Sequence, residues 1–466
     1  MNILVLNLSL RPKSPLMIFP VGLGYIVTAI KNAGFDFDLV DIDAYRYEDV
    51  ELDALISRKS YDVVCMGCIV TGYKMVKELA AKLRGYHPNI KIIVGNTVAS
   101  SITETLLSKT EVDIAVIGEG DVTIVDLLTH IKNNGDLGEV PGICLKQGSR
   151  LITTPPRALI ADISEIPFID FSIFDIELYI NNSKLQLSEG LPIPREKIRM
   201  LPINTARGCI ANCTFCYHAF KSYPYRYRSV ASICEEIEQL VQQYNINFVG
   251  FSDELTLFNK KRAIELADTM IEKKLPVIWG VSCRGDLFDS EDDIAIINRM
   301  KEAGCISASY SLESADEHIL KSMNKHMKVE QFERQTELFH KAGLAVYTSL
   351  VFGFPEETPE TIKKTFDCCV KCQIYPSGGY LLPQPGSKMY DYAVEHGFIV
   401  DEEDYLLSLG DRQDLRLNMT TMQDDELERC VMEGLRECNE RLNLGLKDEE
   451  LIKSTYYRST NKDAVS

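Results

Sequence analysis

The chain lacks several features that would each fix a class. No run reaches the roughly 18 apolar residues of a membrane span, so no membrane partner is expected. Basic residues are the minority, with 50 Lys and Arg against 68 Asp and Glu and a net charge of −18. Such a surface repels phosphate backbones and sets nucleic acid aside as a partner. The opening Met1-Asn2-Ile3-Leu4-Val5 is an apolar strand, without the basic start of a secretory signal. A cytoplasmic protein is therefore expected, with its 14 cysteines reduced and not paired in disulfides. The first 150 residues hold no G-x-G-x-x-G, so a dinucleotide fingerprint is missing.

What is present is concentrated in Arg207-Gly-Cys-Ile-Ala-Asn-Cys-Thr-Phe-Cys-Tyr217. Cys209, Cys213 and Cys216 give three thiolates to one short loop in a C-x-x-x-C-x-x-C spacing. A structural zinc site would need a fourth ligand, and His218 is the only nearby candidate, whereas zinc ribbons and fingers draw ligands from two separated pairs. Three thiolates suit a 4Fe-4S cluster better: one ligand per iron leaves one iron open to a ligand or substrate. The other cysteines read differently. Cys65 and Cys68 could form a redox or metal pair, but buried packing accounts for Cys65, and Cys68 lines whatever the strand end faces. Cys368, Cys369 and Cys372 fall on one helix without further ligands, which points to packing.

The cysteine spacing, with Arg207-Gly208 before it and Phe215 before the third cysteine, resembles the radical SAM superfamily. That resemblance implies that S-adenosylmethionine chelates the open iron and is cleaved to a radical that abstracts hydrogen from the substrate. The cofactor carries the chemistry, and the protein binds, orients and shields.

Before the cluster loop, apolar strands at Ile3–Leu8, Phe37–Ile42, Val63–Met66, Ile90–Val94 and Ile114–Ile117 alternate with helical patterns, the signature of βαβ units. Glycine turns follow at Gly67, Gly95 and Gly118-Glu119-Gly120, where an open α/β sheet forms its ligand crevice. Pro20 to Gly34 with Phe37 to Asp43, and Ile93 to Thr97 with Val112 to Gly120, resemble the cobalamin-binding domain that precedes many radical SAM modules. The resemblance implies cobalamin contacts from Ser9, Gly22, Cys68, Thr71, Gly95, Asn96, Gly118, Glu119 and Gly120. The D-x-H-x-x-G motif that gives cobalt a histidine elsewhere is absent, so no such ligand is expected, and a domain that only shields the barrel is the alternative.

The expected organisation is α/β: a Rossmann-like cobalamin-binding domain over 1–148, a proline-rich connector over 149–200, a partial (β/α)6 barrel over 201–398, and a helical C-terminal region over 399–466. Phe168, Phe171 and Phe174 read as anchors of the connector to a neighbouring domain. Six strands are expected at Pro202–Thr205, Asn247–Phe251, Val277–Val281, Ile306–Leu312, Val346–Phe352 and Gly379–Leu382, with functional groups at their carboxyl ends. There the family resemblance implies S-adenosylmethionine contacts from Asp253, Glu254, Arg284, Ser311, Glu313, Gly353 and Pro355, followed by Pro383-Gln-Pro-Gly-Ser387. An amphipathic helix from Asp424 to Leu444, with Leu427, Val431, Leu435 and Leu442 on one side, is expected to cap the mouth, and the tail after Tyr457 to be mobile.

These expectations converge on a cobalamin-dependent radical SAM methyltransferase acting on an unactivated carbon of a small-molecule or peptide substrate. It would draw electrons from a donor such as flavodoxin or ferredoxin. The alternatives are a non-methylating cyclisation, rearrangement or oxidation of a small metabolite or tetrapyrrole, and a cobalamin-sensing or carrier protein without catalysis.

Overall fold

The first domain is built on apolar runs too short for helices. Ile3–Asn7 (β1), Phe37–Asp41 (β2), Val63–Gly67 (β3), Lys91–Gly95 (β4) and Ile114–Val116 (β5) pair in parallel in the order β2-β1-β3-β4-β5. β1 and β5 are buried at every position, as parallel strands covered on both faces must be. The computed structural model describes residues 1–452 apart from Lys13, 188–190 and Ser222. The expected mobile tail after Tyr457 lies outside the described residues. Helices Val21–Asn32 and Gly120–Lys132 pack on one face of the sheet and Tyr73–Tyr86 and Thr103–Lys109 on the other.

Strand order reverses at β1, so the crevice of this doubly wound sheet lies outside the carboxyl ends of β1 and β3. Ile143–Gln147 (β6) and Arg150–Thr153 (β7) extend the sheet antiparallel beyond β5. The sheet therefore runs past the expected domain end at 148, because β7 is held to β6 by its ladder.

In the second domain Met200–Ile203 (β8) opens the barrel, and Ala206–Arg207 (β9) pairs with Arg226–Tyr227 (β10) in a separate antiparallel ribbon. Phe248–Phe251 (β11), Ile278–Ser282 (β12), Cys305–Ser309 (β13) and Ala345–Tyr347 (β14) then continue the parallel order β8-β11-β12-β13-β14. The sixth expected strand is present only as single bridges, Ser349 to Ser377 and Phe352 to Tyr380, with Gly378-Gly379 between them. The outer faces of these strands, carrying Leu201, Val249, Val281, Ala308 and Val346, pack against the surrounding helices.

The connector anchors as its aromatics suggest. Phe171 and Phe174 lie 4.9 and 4.8 Å from the ring of Phe19 in the first domain, and Phe171 also meets Tyr244 beside the barrel. The Arg228 guanidinium sits 4.9 Å over the Phe168 ring.

The C-terminal helix is not where it was expected. Asp424–Arg441 buries Leu427, Val431, Leu435 and Cys438, with Leu442 beyond its end, and lies along the helix Pro359–Lys371 on the barrel's flank. Gly434 allows this approach: a Cβ there would stand 2.0 Å from the Phe366 ring. The segment that bridges the two domains is the one before it. In helix Glu402–Ser408, Glu403 takes Lys77 and the Tyr73 hydroxyl, Glu402 takes Thr105, and Leu406 enters the core of the first domain. Leu406→Ala should destabilise that domain by about 2–5 kcal/mol, read as a lowered denaturant midpoint.

Candidate functional site

The cysteine loop grows from the ribbon β9–β10, whose register sets Arg207 opposite Arg226. Gly208 follows with φ +91°, a conformation open to glycine and strained for other residues, and turns the chain into Cys209. The loop is pinned at several points by the barrel. Thr214 N donates to the Met323 carbonyl at 3.0 Å, Asn324 Nδ2 to the Asn212 carbonyl at 2.8 Å, and Lys221 Nζ to the Cys213 carbonyl at 2.8 Å. Phe215 packs edge-on against Phe354, which explains an aromatic before the third cysteine.

Ala211 N donates to Cys209 Sγ at 3.4 Å, the kind of contact that stabilises a thiolate. Burial pushes the Cys216 thiol up to about 11 and raises Cys213, so metal binding would release protons. Among the described residues no three His, Cys, Asp or Glu side chains converge on a single-ion site. A thiol-only donor set on one pinned loop fits a cluster whose irons each take one ligand.

Around Cys213 lie three charges, Lys325, Glu313 and Arg284, close enough to act on its thiol. Glu313 is almost fully buried at φ +64°, and its backbone is held in register by Ser349 O and Val351 N. Its Oε1 accepts from Lys325 Nζ at 3.1 Å, while Oε2 is buried with no partner among the described residues. A strained backbone presenting an orphaned carboxylate oxygen is a functional signature. It fits a cationic or hydrogen-bonding group of a bound cofactor beside the cluster. Ser311, two residues earlier, is half-buried. Lys325 carries no sequence signal, since a lone lysine after a helix looks like any solvated residue.

Two expected cofactor contacts are otherwise engaged. Asp253 accepts at Oδ1 from Thr205 N (2.7 Å), Ala206 N (3.1 Å) and Asn204 Nδ2 (2.8 Å), and at Oδ2 from Thr205 Oγ1 (2.5 Å). It clamps the turn that leads into the cysteine loop. Arg284 bonds Asp286 through Nε and Nη2 at 2.9 and 3.1 Å, and Nη2 also donates to the carbonyls of Lys325 and His326. Its fork braces the turn that carries Lys325 and is not a free carboxylate clamp. Glu254 remains available: burial pushes its carboxyl up to about 7, and its Oε1 lies 3.8 Å from His218 Nδ1.

Gly353 has φ +100°, and its N–H, with that of Phe354, bonds the Glu357 carboxylate, with half-buried Pro355 between. Gly386 stands at φ +92°, with the Tyr217 ring 2.4 Å from where a Cβ would be. That close approach joins the sixth strand's exit to the cysteine loop.

In the first domain the expected residues divide into two sets. Gly22 has open space where a Cβ would stand, and Gly95 nearly so, with nothing nearer than Val116 at 4.0 Å. Asn96, at φ +69°, caps the helix after β4. Ser9 is buried beside the Asp43 carboxyl, and Thr71 is half-buried in the turn after β3. Gly22 and Gly95 thus leave backbone that a large cofactor could approach. Cys68, in contrast, is buried in the core cluster of this domain, with its Sγ against Gly72.

Gly118, Glu119 and Gly120 form the seam with the barrel. The Tyr223 hydroxyl fills the space beside Gly118, 2.5 Å from a would-be Cβ, and Ile26 fills that beside Gly120. Glu119 Oε1 accepts from Arg207 Nη1 at 2.8 Å and Arg226 Nη2 at 2.9 Å, its Oε2 from Arg226 Nη1 at 3.0 Å, and Asp121 grips Arg207 from the other side at 2.8 and 2.9 Å. Tyr25 and Phe220 cover the Arg207 guanidinium. Burial pushes the Glu119 carboxyl up, but the two guanidiniums outweigh it and hold it below its usual range. The turn after β5 and the ribbon β9–β10 thus meet, two residues before the first cysteine.

Glu119→Ala would leave two buried guanidiniums short of a partner, at a cost of about 3–5 kcal/mol, seen as faster proteolysis between the domains. A second prediction concerns Glu357, whose carboxyl burial pushes from 4.5 up to about 8. Between those values the folded chain keeps this proton and the unfolded chain has lost it, so this group lowers stability as pH rises. Glu357→Gln removes that contribution. The unfolding free energy from urea titrations between about pH 5 and about pH 8 should then fall less steeply than in the parent, by up to about 1.4 kcal/mol per pH unit.

The Radical SAM superfamily model matches residues 203–369, and the B12 binding domain model matches residues 11–128. An uncharacterized methyltransferase of Pyrococcus horikoshii is 25% identical over 384 residues, 82% of this chain and 80% of that one. An anaerobic magnesium-protoporphyrin IX monomethyl ester cyclase of Rubrivivax gelatinosus is 27% identical over 355 residues, 74% of this chain and 61% of that one. The solved structure of the radical S-adenosylmethionine methyltransferase TsrM from Kitasatospora setae, with cobalamin and a 4Fe-4S cluster bound, has a TM-score of 0.67 at 19% identity. It covers 85% of this chain and 75% of that one. The chain thus carries a B12-binding domain in front of a radical SAM domain.

Proposed function

We propose that this protein is a cobalamin-dependent radical SAM methyltransferase acting on an unactivated carbon of a small molecule. The observation that carries the reading is the seam at Glu119, Arg207 and Arg226, which ties the glycine turn after β5 to the ribbon that leads into the three-cysteine loop. Two cofactors that must act on one substrate need that arrangement, because reacting groups gain most when held in near-contact. When bound, the cluster with S-adenosylmethionine supplies hydrogen-atom abstraction, and cobalamin supplies the methyl group.

The chain's own residues do the rest. Cys209, Cys213 and Cys216 would hold the cluster. The free Oε2 of Glu313 and the carboxylate of Glu254 would meet the ammonium and hydroxyl groups of the nucleoside cofactor, each a charge-assisted hydrogen bond. Lys325 holds Glu313 in place, and Asp253 holds the turn that aims the loop. Ser9, Gly22, Thr71, Gly95 and Asn96 would line the cobalamin crevice. A one-electron donor such as flavodoxin or ferredoxin would reduce the cluster, in the cytoplasm. Among the described residues no helix is long and apolar enough to cross a membrane.

The similarity to the Rubrivivax gelatinosus cyclase favours a second reading, the same cofactors used without methyl transfer. The two are separated by anaerobic purification with added iron and cobalamin, followed by incubation with methyl-labelled S-adenosylmethionine. About four irons and an equimolar cobalt per chain, with label passing to a low-molecular-weight product, are expected. Deoxyadenosine formation without label transfer would replace methylation by the second reading. Cys209→Ser, Cys213→Ser and Cys216→Ser should each abolish the cluster absorbance and all cofactor cleavage.

A further inference from the structure

The inner face of the partial barrel carries a strip of serine hydroxyls. Alternate residues of a strand face opposite ways. Val281, Ala308 and Val346 go to the outer core, so Ser282, Ser307 and Ser309 fall inside, followed by Ser349 and its bridge partner Ser377. Ser309 is exposed although its strand lies within the sheet. A Cβ on Gly280 would stand 2.7 Å from Ser307 Oγ, which places both on the inner face. Barrels of this class normally fill that space with Val, Ile and Leu. The same alternation puts Met200, Phe248, Ile278 and Tyr347 on this face as well, so the serines form a polar strip within a mixed lining.

One cation enters it. Gly378 turns outward toward Phe352 and Leu435, so Gly379 faces inward, and Cγ, Cδ and Nε of Arg412 each lie 3.1 Å from where the Gly379 Cβ would stand. Arg412 Nη2 reaches Ser377 Oγ, on the same face, at 3.4 Å. The carboxylates beside it in sequence are already paired: Asp411 with Arg11 at 3.0 Å and Asp414 with Arg416 at 2.9 Å. Among the described residues none forms an ion pair with Arg412. The Asp411 to Arg11 pair also ties this segment to the loop after β1, so Arg412 sits where the first domain meets the barrel.

We propose that the lumen binds its substrate by an oxyanion headgroup, carboxylate or phosphoryl, gripped by Arg412, with the serine hydroxyls solvating the rest of a small polar molecule. A planar guanidinium without a carboxylate partner matches a two-oxygen anion in a bidentate fork. In a chain of net charge −18 it gives such a substrate a local point of attraction. That the anion belongs to the substrate rests on the methyltransferase reading; that the lumen binds an oxyanion does not.

The test is the thermal midpoint of the full chain, loaded with iron and cobalamin, in inorganic phosphate and in succinate against sodium chloride of equal ionic strength. A rise of about 2 °C or more is expected with at least one probe, and which probe acts separates phosphoryl from carboxylate recognition. Arg412→Met should lose the rise. So should Gly379→Ala, which keeps the charge but displaces the side chain from its seat. Iron and cobalt measured on the same samples report whether each variant is folded and loaded, and a cobalt-free parent would count against the methyltransferase reading alone. No rise in the parent, or an equal rise in a folded variant, overturns the proposal.

Discussion

The assembly depends on one buried carboxylate shared between two arginines. Glu119 stands at the carboxyl end of the first domain's last parallel strand, and Arg207 and Arg226 stand side by side on a ribbon of the second. Charges removed from water are tolerable only when paired and hydrogen-bonded, so each domain supplies what the other cannot bury alone. Arg207 is two residues from Cys209, and its guanidinium is also fixed by Asp121, Tyr25 and Phe220. The first thiol is therefore positioned from the neighbouring domain as much as from its own loop.

The same logic explains a barrel whose inner face is partly polar. Its largest apolar cluster lies between strands and outer helices, with Trp279, Val281 and Ala308 turned outward, while serines and glycines share the inside with Met200, Phe248, Ile278 and Tyr347. Burial of the outer face stabilises the sheet, and the inner face is left to chemistry. Residues such as Asp253 and Arg284 then serve as braces at the rim, fixing turns whose free ends carry the reactive groups.

Local signals were legible in the sequence and distant ones were not. The three cysteines could be recognised because their chemistry lies within eight residues of chain, and the parallel strands because burial on both faces demands unbroken Val, Ile and Leu. Asp253 and Arg284 stand at the strand ends where they were expected, yet their roles are set by partners that only folding brings together: Thr205, and the carbonyls at 325 and 326. Glu119 followed the expected glycine turn, but nothing local announced two arginines some 88 and 107 residues away. Arg412 had no signal at all, because its place is defined by a missing side chain on Gly379.

The helix Glu402–Ser408 has a consequence for how the chain is made. Leu406 completes a core whose other members, apart from it, lie within the first 144 residues, so the slot it fills stands open while more than 250 further residues are synthesised. Domains fold in order of emergence from the ribosome, and the first domain must hold an unsealed apolar groove until almost the whole barrel has appeared. A helix that emerges after the barrel strands closes the first domain to fold. Final consolidation of the N-terminal half is thus tied to complete synthesis of the C-terminal half, and a prematurely ended chain would carry its own exposed mark.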